Sequence, residues 1–533
     1  MTIKNTPQRA IWITGLCTIS LFLSQSLCAG GVLRTGHPGE PDSLDPHLAI
    51  AAPALIVNND LFEGLFTLNA QGRPVLGAAE SYQISPDGLT YTFRLRPDLR
   101  WSDGKPIQAK DFIYSMRRLA DPATASTALA AWIDLIEGGR AILNGNQTVE
   151  TLGVSALDTR TVKIKLVNPV PYFLSIISFP VFAPLPQKVI DAWGSAWTRP
   201  EHMVSNGPFM LEQWRPGHLV RVKRNPYFHA ATQVRLDAVE YIPVNDLNTG
   251  LRLFQSGKLD VLTNFPPEKI DSLRKNMSKE LRLTPSLGVT VYLFNHRLPK
   301  FSDPRVRRAL ALAIDLDVLT VKLLHAGDTP AWSFIPNGIS GYGKPLNTSE
   351  TMIQRVNQAK LLLKAAGYIS PKRFELELLY HTSEEHKKVA VAIAAMWNAI
   401  GVNTTLRNAD RQVVEVATRN GEFEVVRAAW FSPYSDPMGF LSFLRRGSPA
   451  NSSGYDNAMF DSQVDAAAKE KDSKLRKTLL YNAEQIASKD QAVIPLYYLT
   501  SRRLVSQRVQ GWRNDNLSAL RPARWLSLRP EIP

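Results

Sequence analysis

The sequence predicts a mixed α/β protein made of two or three packed units. Segments with the two-residue period of strands alternate with segments that carry the period of amphipathic helices. A chain of 533 residues is too long for one hydrophobic core. Its 44% apolar and 21% charged residues are typical of a globular protein, and it has no internal repeat and no Gly/Ser-rich linker.

The first thirty residues have the layout of a secretory signal peptide. Lys4 and Arg9 precede an apolar run, IWITGLCTISLFL (11–23), and small and polar residues follow it. This run is shorter than the roughly 20 residues that span a membrane, so we expect cleavage close to residue 30 and a periplasmic product. Cys17 and Cys28, the only cysteines, lie in this segment, so the mature chain is expected to contain no disulfide.

The clearest local unit is LTYTFRLRPDLRWSDGKPIQAKDFIYSMRRLA (89–120). Tyr91, Phe93 and Leu95 alternate with polar residues, as on a half-buried strand. The turn SDGKP follows, and AKDFIYSMRRL then predicts a helix with an apolar face.

A second unit, FSDPRVRRALALAIDLDVL (301–319), predicts another amphipathic helix. Ser302 is placed to cap it, and Pro304 suits its first turn. Its apolar residues recur every four positions, as expected for one buried helix face; they are Val306, Leu310 and Ile314.

A third unit, LELLYHTSEEHKKVAVAIAAMWNAIGV (376–402), predicts a strand followed by a helix. Ser383 is the expected N-cap, and Gly401 ends the helix. The apolar face consists of Val389, Ile393, Met396 and Ile400. The stretches NTTLRNAD and EFEVVRAAW that follow predict two further strands.

No motif for catalysis, metal binding or nucleic-acid binding stands out. His381 and His386 are spaced as HxxxxH, which differs from the HExxH zinc motif. There is no G-x-S-x-G elbow, P-loop or G-x-G-x-x-G, although a sequence alone does not reveal carboxylates that converge in space. The net charge of +14 is dispersed along the chain, whereas nucleic-acid binders concentrate it. A hydrolase is therefore disfavoured, and no cofactor is expected.

Two features suggest a binding site. If Ser383 caps its helix, His386 is the third helical residue, where free backbone N–H groups favour an anion such as a carboxylate; the alternative is a histidine that faces solvent. The stretch AAWFSPYSDP (428–437) combines Trp430 and Tyr434 with prolines, which suggests a rigid platform for a ligand, and Asp436 is its one carboxylate.

Eight segments, in order along the whole predicted mature chain, resemble the oligopeptide-binding proteins of ABC importers, the OppA-type branch of the peptide-, nickel- and opine-binding family. The WSDGKP-x-x-AKDF block is typical of the family, and RLADP with HTSEEHKK is typical of this branch. The segments are DLFEGLF (60–66), LRWSDGKPIQAKDFIYSMRRLADPATAS (99–126), NPVPYF (168–173), NGPFMLEQW (206–214), DPRVRRALALAID (303–315), HTSEEHKKVAVAIAAMW (381–397), VVRAAW (425–430) and IPLYY (494–498).

The resemblance implies a two-lobed periplasmic binding protein of type II, a clamshell with an extra subdomain on the first lobe. The chain would cross between the lobes twice. By the placement of the matching blocks we expect the signal peptide at 1–30, the first lobe at 31–70, 205–290 and 496–533, the extra subdomain at 71–204, and the second lobe at 291–495.

The function that the resemblance implies is capture without catalysis. An oligopeptide would lie extended between the lobes, held mainly through its backbone, and the lobes would close because the ligand contacts both of them only in the closed state. The expected partners are the peptide and the permease and ATPase of an importer. The protein itself is expected to be a monomer that binds no metal and no nucleic acid.

In this branch, basic residues along the cleft meet the carboxylate ends of peptides of different lengths. The matching positions are Arg427, His386 and, with a one-residue gap nearby, Arg419. Trp430 matches an aromatic residue that lines the cleft, with a core tryptophan as the alternative. Tyr434 belongs to the same platform.

The sequence departs from the family at Pro433, where relatives usually carry an aspartate that pairs with the α-ammonium of the ligand. Leaving a buried ammonium unpaired would cost several kcal/mol. Either Asp436 replaces the aspartate, the ammonium stays in water, or the ligand has no free α-amine, as in a murein-derived or blocked peptide, an opine or another anionic solute. Alternatively, Asp436 only caps the turn through DPMG.

Overall fold

The computed structural model of the protein describes residues 30–126, 130–339, 341–342, 350–368, 371–518 and 520–530. The predicted signal peptide, apart from Gly30, lies outside these residues. Within the ranges just given, no helix is long and apolar enough to cross a membrane.

The described residues form strands in both halves of the chain. In chain order they are β1 (Val32–His37), β2 (Phe66–Leu68), β3 (Pro74–Leu76), β4 (Ala79–Ile84), β5 (Thr90–Leu95), β6 (Val154–Asp158), β7 (Thr161–Lys165), β8 (Phe209–Arg215), β9 (Leu219–Arg224), β10 (Ala238–Pro243), β11 (Val261–Leu262), β12 (Leu281–Phe294), β13 (Thr329–Pro330), β14 (Phe374–His381), β15 (Val402–Ala409), β16 (Val425–Phe431), β17 (Val493–Val505), β18 (Val509–Gln510) and β19 (Ser527–Leu528).

Helices alternate with these strands, as the periodicity predicts, and a π-helical segment at Val318–Leu324 follows the eighth of them. The α-helices are α1 (Ala52–Leu61), α2 (Ala109–Ala120), α3 (Gly139–Leu143), α4 (Phe173–Ile176), α5 (Gln187–Trp193), α6 (Leu247–Gln255), α7 (Ile270–Asn276), α8 (Pro304–Leu312), α9 (Met352–Ala365), α10 (Glu384–Asn398), α11 (Arg411–Asn420), α12 (Met438–Leu444), α13 (Ala458–Lys469) and α14 (Ser473–Lys489).

One large sheet extends through the molecule in the order β15-β14-β16-β12-β17-β11-β1-β10-β9-β8, with β13 paired to β17. It is mixed, since β1 runs parallel to β10 while β12 runs antiparallel to β16 and β17. A separate antiparallel sheet, β4-β5-β7-β6, packs with α2 around its own core, in which Phe93 and Phe112 are fully buried. These two sheets account for most of the strands in the part of the chain that the structure describes.

Strands β12 and β17 pair in three stretches, with irregularities between Pro285 and Val289 and between Thr290 and Val291. Pro285 lies opposite Thr500, and the next matched pair is Val289 with Tyr498, so the bulge places three residues of β12 against one of β17. Gly288 in this bulge lies opposite Phe431 of β16, and a Cβ atom at position 288 would come within 2.7 Å of the phenylalanine ring. The ladder between β12 and β17 is therefore interrupted at the level of Gly288.

The sheet around β14 and β16 separates two cores. Leu378 and Val425 face α8, α9 and α10, whereas Leu379 and Val426 face α11 to α14. Successive side chains on a strand point to opposite faces. Neighbouring residues within β14 or within β16 therefore pack against different sets of helices.

The elements predicted within 89–120 and 376–402 are confirmed, whereas the helix predicted over 301–319 ends at Leu312, before Ile314. Tyr91, Phe93 and Leu95 are the buried residues of β5, and α2 buries the expected face, which includes Phe112, Met116 and Leu119. α10 begins after Ser383, as predicted, but without a hydrogen bond from the serine side chain, and Gly401 follows it with a φ of +90°.

The cap predicted for α8 is wrong. Asp303, one residue after Ser302, holds the N-cap position, and its carboxylate accepts a hydrogen bond from the amide of Arg305 at 2.8 Å. An ionised carboxylate is the stronger acceptor for the free amides of a first helical turn. The hydroxyl of Ser302 instead donates to the carbonyl of Pro299 at 2.7 Å.

Candidate functional site

The side chain of Arg427 lies on the α10 side of the large sheet. Arg427 lies two residues after Val425 on β16, so both side chains point to the same face of the sheet. Val425 packs in the core that includes the buried residues of α10. The Nη2 atom is 3.4 Å from the hydroxyl of Thr290, a fully buried residue, and among the described residues Nε is buried without a hydrogen-bond partner. This guanidinium keeps unused donors in a partly buried setting, where an anion binds favourably.

His386 lies close enough to Arg427 for the charge of the guanidinium to act on the imidazole. It is the third residue of α10, and its Nδ1 is 3.3 Å from the carbonyl oxygen of His381, the last residue of β14. The two imidazole rings lie 5.4 Å apart. Burial, and then the charge of Arg427, lower the pKa of His386 to about 4, so the ring is neutral at physiological pH.

A neutral His386 has consequences for its chemistry. When Nδ1 carries the proton and donates it to the His381 carbonyl, Nε2 is left as an acceptor. A carboxylate that approaches Nε2 would favour the imidazolium form and raise the pKa of the ring. Contact with an anionic ligand would therefore be coupled to uptake of a proton.

Two residues beside Arg427 were missed by the sequence reasoning. In the sequence, His381 stands out only as one half of the HxxxxH spacing, which does not fit the zinc motif. Tyr497 stands out only as part of the IPLYY segment. Tyr497 is 1% exposed; burial raises the pKa of its hydroxyl, and the neighbouring charge of Arg427 opposes that rise. A buried tyrosine on a long strand gives no local signal that its hydroxyl faces an arginine.

Acidic groups also lie near this site. Asp328 is 8% exposed, and its Oδ1 accepts a hydrogen bond from the amide of Thr500 at 2.8 Å. Burial, together with the charge of Glu385, raises the pKa of Asp328 to about 6, while Arg502 acts in the opposite direction. The surroundings of Arg427 and His386 therefore include both acidic and basic side chains.

Trp430 lies on the opposite face of β16 from Arg427. Its indole Nε1 donates to the carbonyl of Gly439 at 2.6 Å, and its ring packs 4.5 Å from that of Phe443. The side chain is half-buried and contacts the core that includes Val426. Whether its exposed edge lines a cleft stays a prediction.

Arg419 and Arg427 lie on different elements, α11 and β16, and do not share a helix face or a sheet face. It is exposed in the last turn of α11, whose buried residues Val414 and Ala417 pack on the core opposite to that of α10. The role that the resemblance implies for Arg419 stays a prediction.

Tyr434 and Asp436 both contact residues distant in sequence. The ring of Tyr434 stacks on that of Tyr172, with centroids 4.5 Å apart and planes 6° apart. Asp436 forms an ion pair with Arg476 through both carboxylate oxygens, at 2.8 and 2.9 Å. It also accepts from the amide of Met438 at 2.9 Å, so Asp436 caps the DPMG turn, but this is not its only contact.

Metal binding receives no support from the side-chain arrangement. The described residues contain no group of three or more His, Cys, Asp or Glu side chains that could hold a metal ion.

Comparison with known proteins identifies the family. Residues 73–452 match the family described as bacterial extracellular solute-binding proteins, family 5 Middle. The chain is 36% identical over 525 residues to the periplasmic oligopeptide-binding protein OppA of Salmonella typhimurium, with 96% of each chain covered. It is 34% identical over 511 residues to the periplasmic murein peptide-binding protein MppA of Escherichia coli, with 94% of each covered.

A solved structure extends the likeness to three dimensions. OppA of Burkholderia pseudomallei matches with a TM-score of 0.81 at 33% identity, covering 94% of this chain and 99% of that chain. The predicted fold class, a two-lobed α/β binding protein of type II, is thereby confirmed. The chain belongs to the family 5 bacterial extracellular solute-binding proteins, in their OppA-type branch.

Proposed function

We propose that this chain is the exported solute-binding component of an ABC importer, and that it captures oligopeptides in the periplasm without catalysing a reaction. Two of its relatives are named as a periplasmic oligopeptide-binding protein and a periplasmic murein peptide-binding protein. The proposal includes cleavage of the signal peptide close to residue 30, a monomeric mature protein, and delivery of the peptide to the permease and ATPase of the importer.

The observation that carries the proposal is the basic pair of Arg427 and His386. Arg427 has a buried Nε without a partner among the described residues, and its Nη2 lies 3.4 Å from the neutral hydroxyl of Thr290. A peptide carboxylate would supply the missing anion and accept hydrogen bonds from the guanidinium. His386, at the start of α10, would add a second contact to the carboxylate.

Closure of the two lobes would occur at the irregular level of β12 and β17. Pro285 cannot donate to the sheet, and the bulge up to Val289 interrupts the ladder, so these strands bend there most easily. This level lies a few residues from the boundaries expected at 291 and 495. A ligand that contacts both lobes would shift the equilibrium toward the closed form.

The chemistry at the amino end of the peptide differs from the family pattern. Pro433 replaces the usual aspartate, and Asp436 is neutralised by Arg476. We propose that Asp436 does not bind an α-ammonium, which leaves that group in water or absent from the ligand. The second candidate function is therefore transport of a solute without a free α-amine, such as a murein-derived or blocked peptide, an opine or another anionic solute.

Calorimetry on ligand-free protein tests the proposal. Alanine tri-, tetra- and pentapeptides are titrated with a free or N-acetylated amino end, and with a free or amidated carboxyl end. Saturable binding of the free-acid peptides, weakened about tenfold or more by amidation, supports peptide capture. If no peptide binds in any form, the proposal fails.

The acetylated peptides distinguish the two candidates. Equal or tighter binding of the acetylated forms supports a ligand without a free α-amine, whereas clearly tighter binding of the free forms excludes it. Mass spectrometry of the small molecules that co-purify with the native protein provides an independent identification.

A further inference from the structure

The second lobe contains a cavity of about 120 Å³ that none of the six predicted site residues lines. It lies beside the first residues of β17, and helices from both cores of the lobe, α8 and α9 on one side and α12 and α14 on the other, contribute to its walls. A space of this size holds about ten waters, and hence a small organic molecule.

One wall carries two arginines whose hydrogen-bond partners are neutral. Arg355 donates from Nη2 to the carbonyl of Ile314 at 2.5 Å, and its guanidinium lies 5.3 Å from the ring centroid of Trp332. Arg308 donates to the amide oxygen of Gln491 at 3.3 Å. Burial, and the charge of Arg308, lower the pKa of Arg355, although Asp315, Glu350 and Asp317 act in the opposite direction.

The net charge of the lining limits the anion that would fit. Arg308 and Arg355 carry two positive charges, and Glu350 on the same lining carries one negative charge. Glu484 also lines the cavity, and when it is protonated the balance is one positive charge, which a monoanion neutralises and a phosphate dianion would exceed. A carboxylate also matches the planar fork of a guanidinium.

A buried carboxyl group with one unpaired oxygen marks another wall. Glu484 is 5% exposed, and its Oε1 is buried with no hydrogen bond among the residues that the structure describes. Burial raises the pKa of Glu484 to about 7, and the hydroxyl of Ser333 and the amide of Ile335 offset only part of that rise. An unpaired buried polar atom destabilises the protein, and a hydrogen bond from a ligand would relieve that cost.

The remaining surface is apolar and suits a hydrocarbon body. Side chains from α8, α12, the connecting segments and the start of β17 cover it; they are Leu312, Leu316, Phe334, Leu441, Leu444 and Val493. The hydrophobic effect would favour burial of a hydrocarbon chain against these side chains.

We propose that this cavity is a second ligand site, separate from the peptide cleft, and that it takes a small amphipathic monocarboxylate of about ten non-hydrogen atoms. Arg308 and Arg355 hold the carboxylate, and the leucine-rich walls hold the apolar body. The site does not depend on what the cleft between the lobes binds.

Octanoate, which has the required size, charge and apolar body, tests the proposal by calorimetry on the ligand-free full chain. Saturable binding is expected, with 1-octanol at least about tenfold weaker because it lacks the carboxylate. This comparison needs no variant. Equal affinity for octanoate and octanol, or no saturable octanoate binding at millimolar concentration, would overturn the proposal.

Variants locate the octanoate. Arg308→Met and Arg355→Met are each expected to weaken octanoate about tenfold, and Leu444→Trp to abolish binding by filling the cavity. Arg305→Met is the matched control, because Arg305 lies on the same helix with its guanidinium bound to Asp303 in solvent; it should change the affinity less than twofold. An equal loss in Arg305→Met contradicts the site.

Competition separates this site from the peptide cleft. Octanoate affinity is measured with and without a saturating peptide chosen from the calorimetry above. Unchanged affinity supports two sites, and displacement of octanoate by the peptide overturns their separation. If no peptide binds at all, only the proposed transport function fails, because the octanoate comparison stands without it.

Discussion

Asp436 and Arg476 form a two-point ion pair: Oδ2 accepts from Nη1 at 2.8 Å, and Oδ1 accepts from Nη2 at 2.9 Å. Both side chains are largely buried, at 14% and 10% exposure. The guanidinium also lies 5.8 Å from the ring centroid of Tyr172, the residue on which Tyr434 stacks. The loop after β16 is therefore fixed by long-range contacts within the protein.

Asp436→Asn is expected to lower the free energy of unfolding by about 2–4 kcal/mol, because it leaves Arg476 buried without a full partner. Denaturant unfolding measures the change. Asp465→Asn is the matched control; its pair with Arg445 is half-exposed, so a loss below about 1 kcal/mol is expected. The affinity ratio of free to acetylated peptides should stay constant in Asp436→Asn. A selective loss for free peptides would mean that Asp436 does bind the α-ammonium.

Arg427→Ala and His386→Ala are expected to weaken peptides of different lengths unequally. Each side chain meets a carboxylate at a different distance along the proposed cleft, and loss of a charge-assisted hydrogen bond corresponds to a loss of about tenfold or more. Calorimetry with tri- to pentapeptides gives the length profile of each variant. Equal losses at every length in both variants would contradict a carboxylate ruler.

Peptide affinity is expected to increase as the pH falls from 8 to 5 for the length whose carboxylate reaches His386. The free protein has a His386 pKa of about 4, and a bound carboxylate raises it. Between the two pKa values, binding takes up a proton, so affinity rises as the pH falls. Calorimetry in buffers of different ionisation enthalpy detects this uptake. His386→Gln should remove it, and His325→Gln, an exposed histidine, should leave it intact; persistence in His386→Gln assigns the proton elsewhere.

The stability of the fold is expected to fall between about pH 6.5 and pH 4 because of His47, which is fully buried. Its Nδ1 accepts from Arg118 at 2.8 Å, and its Nε2 faces the carbonyl of Val181 at 3.1 Å. Burial is the main cause that lowers the pKa of His47 to about 4. The unfolded chain therefore binds a proton in this window while the folded chain does not, so stability is present above pH 6.5 and is lost as the pH falls.

The contribution of His47 is at most about 1.4 kcal/mol per pH unit. Urea unfolding at several pH values measures the slope. His47→Gln should reduce the slope across this window even though it lowers stability overall, and His218→Gln, which changes an exposed residue, should leave the slope as it is. An unchanged slope in His47→Gln would show that another group titrates.

Local patterns were enough to predict much of the fold. The alternation in β5, the apolar face of α2 and the end of α10 at Gly401 depend on side chains and backbone angles within one or two turns. The placement of His386 as the third residue of α10 follows in the same way. Motifs in chain order also indicated the family. Neighbours in sequence decide all of these features.

The tertiary structure decided which side chains share a site. Arg427 and Trp430 are three residues apart on one strand, and so they face opposite cores. Asp436 is paired by a residue forty positions later, and Tyr434 by one in the other half of the chain. Such contacts form only when distant segments pack together. Packing therefore determines which partner each buried charge or ring contacts. For this reason the sequence alone could identify Asp436 as the carboxylate of its loop but not as the partner of Arg476.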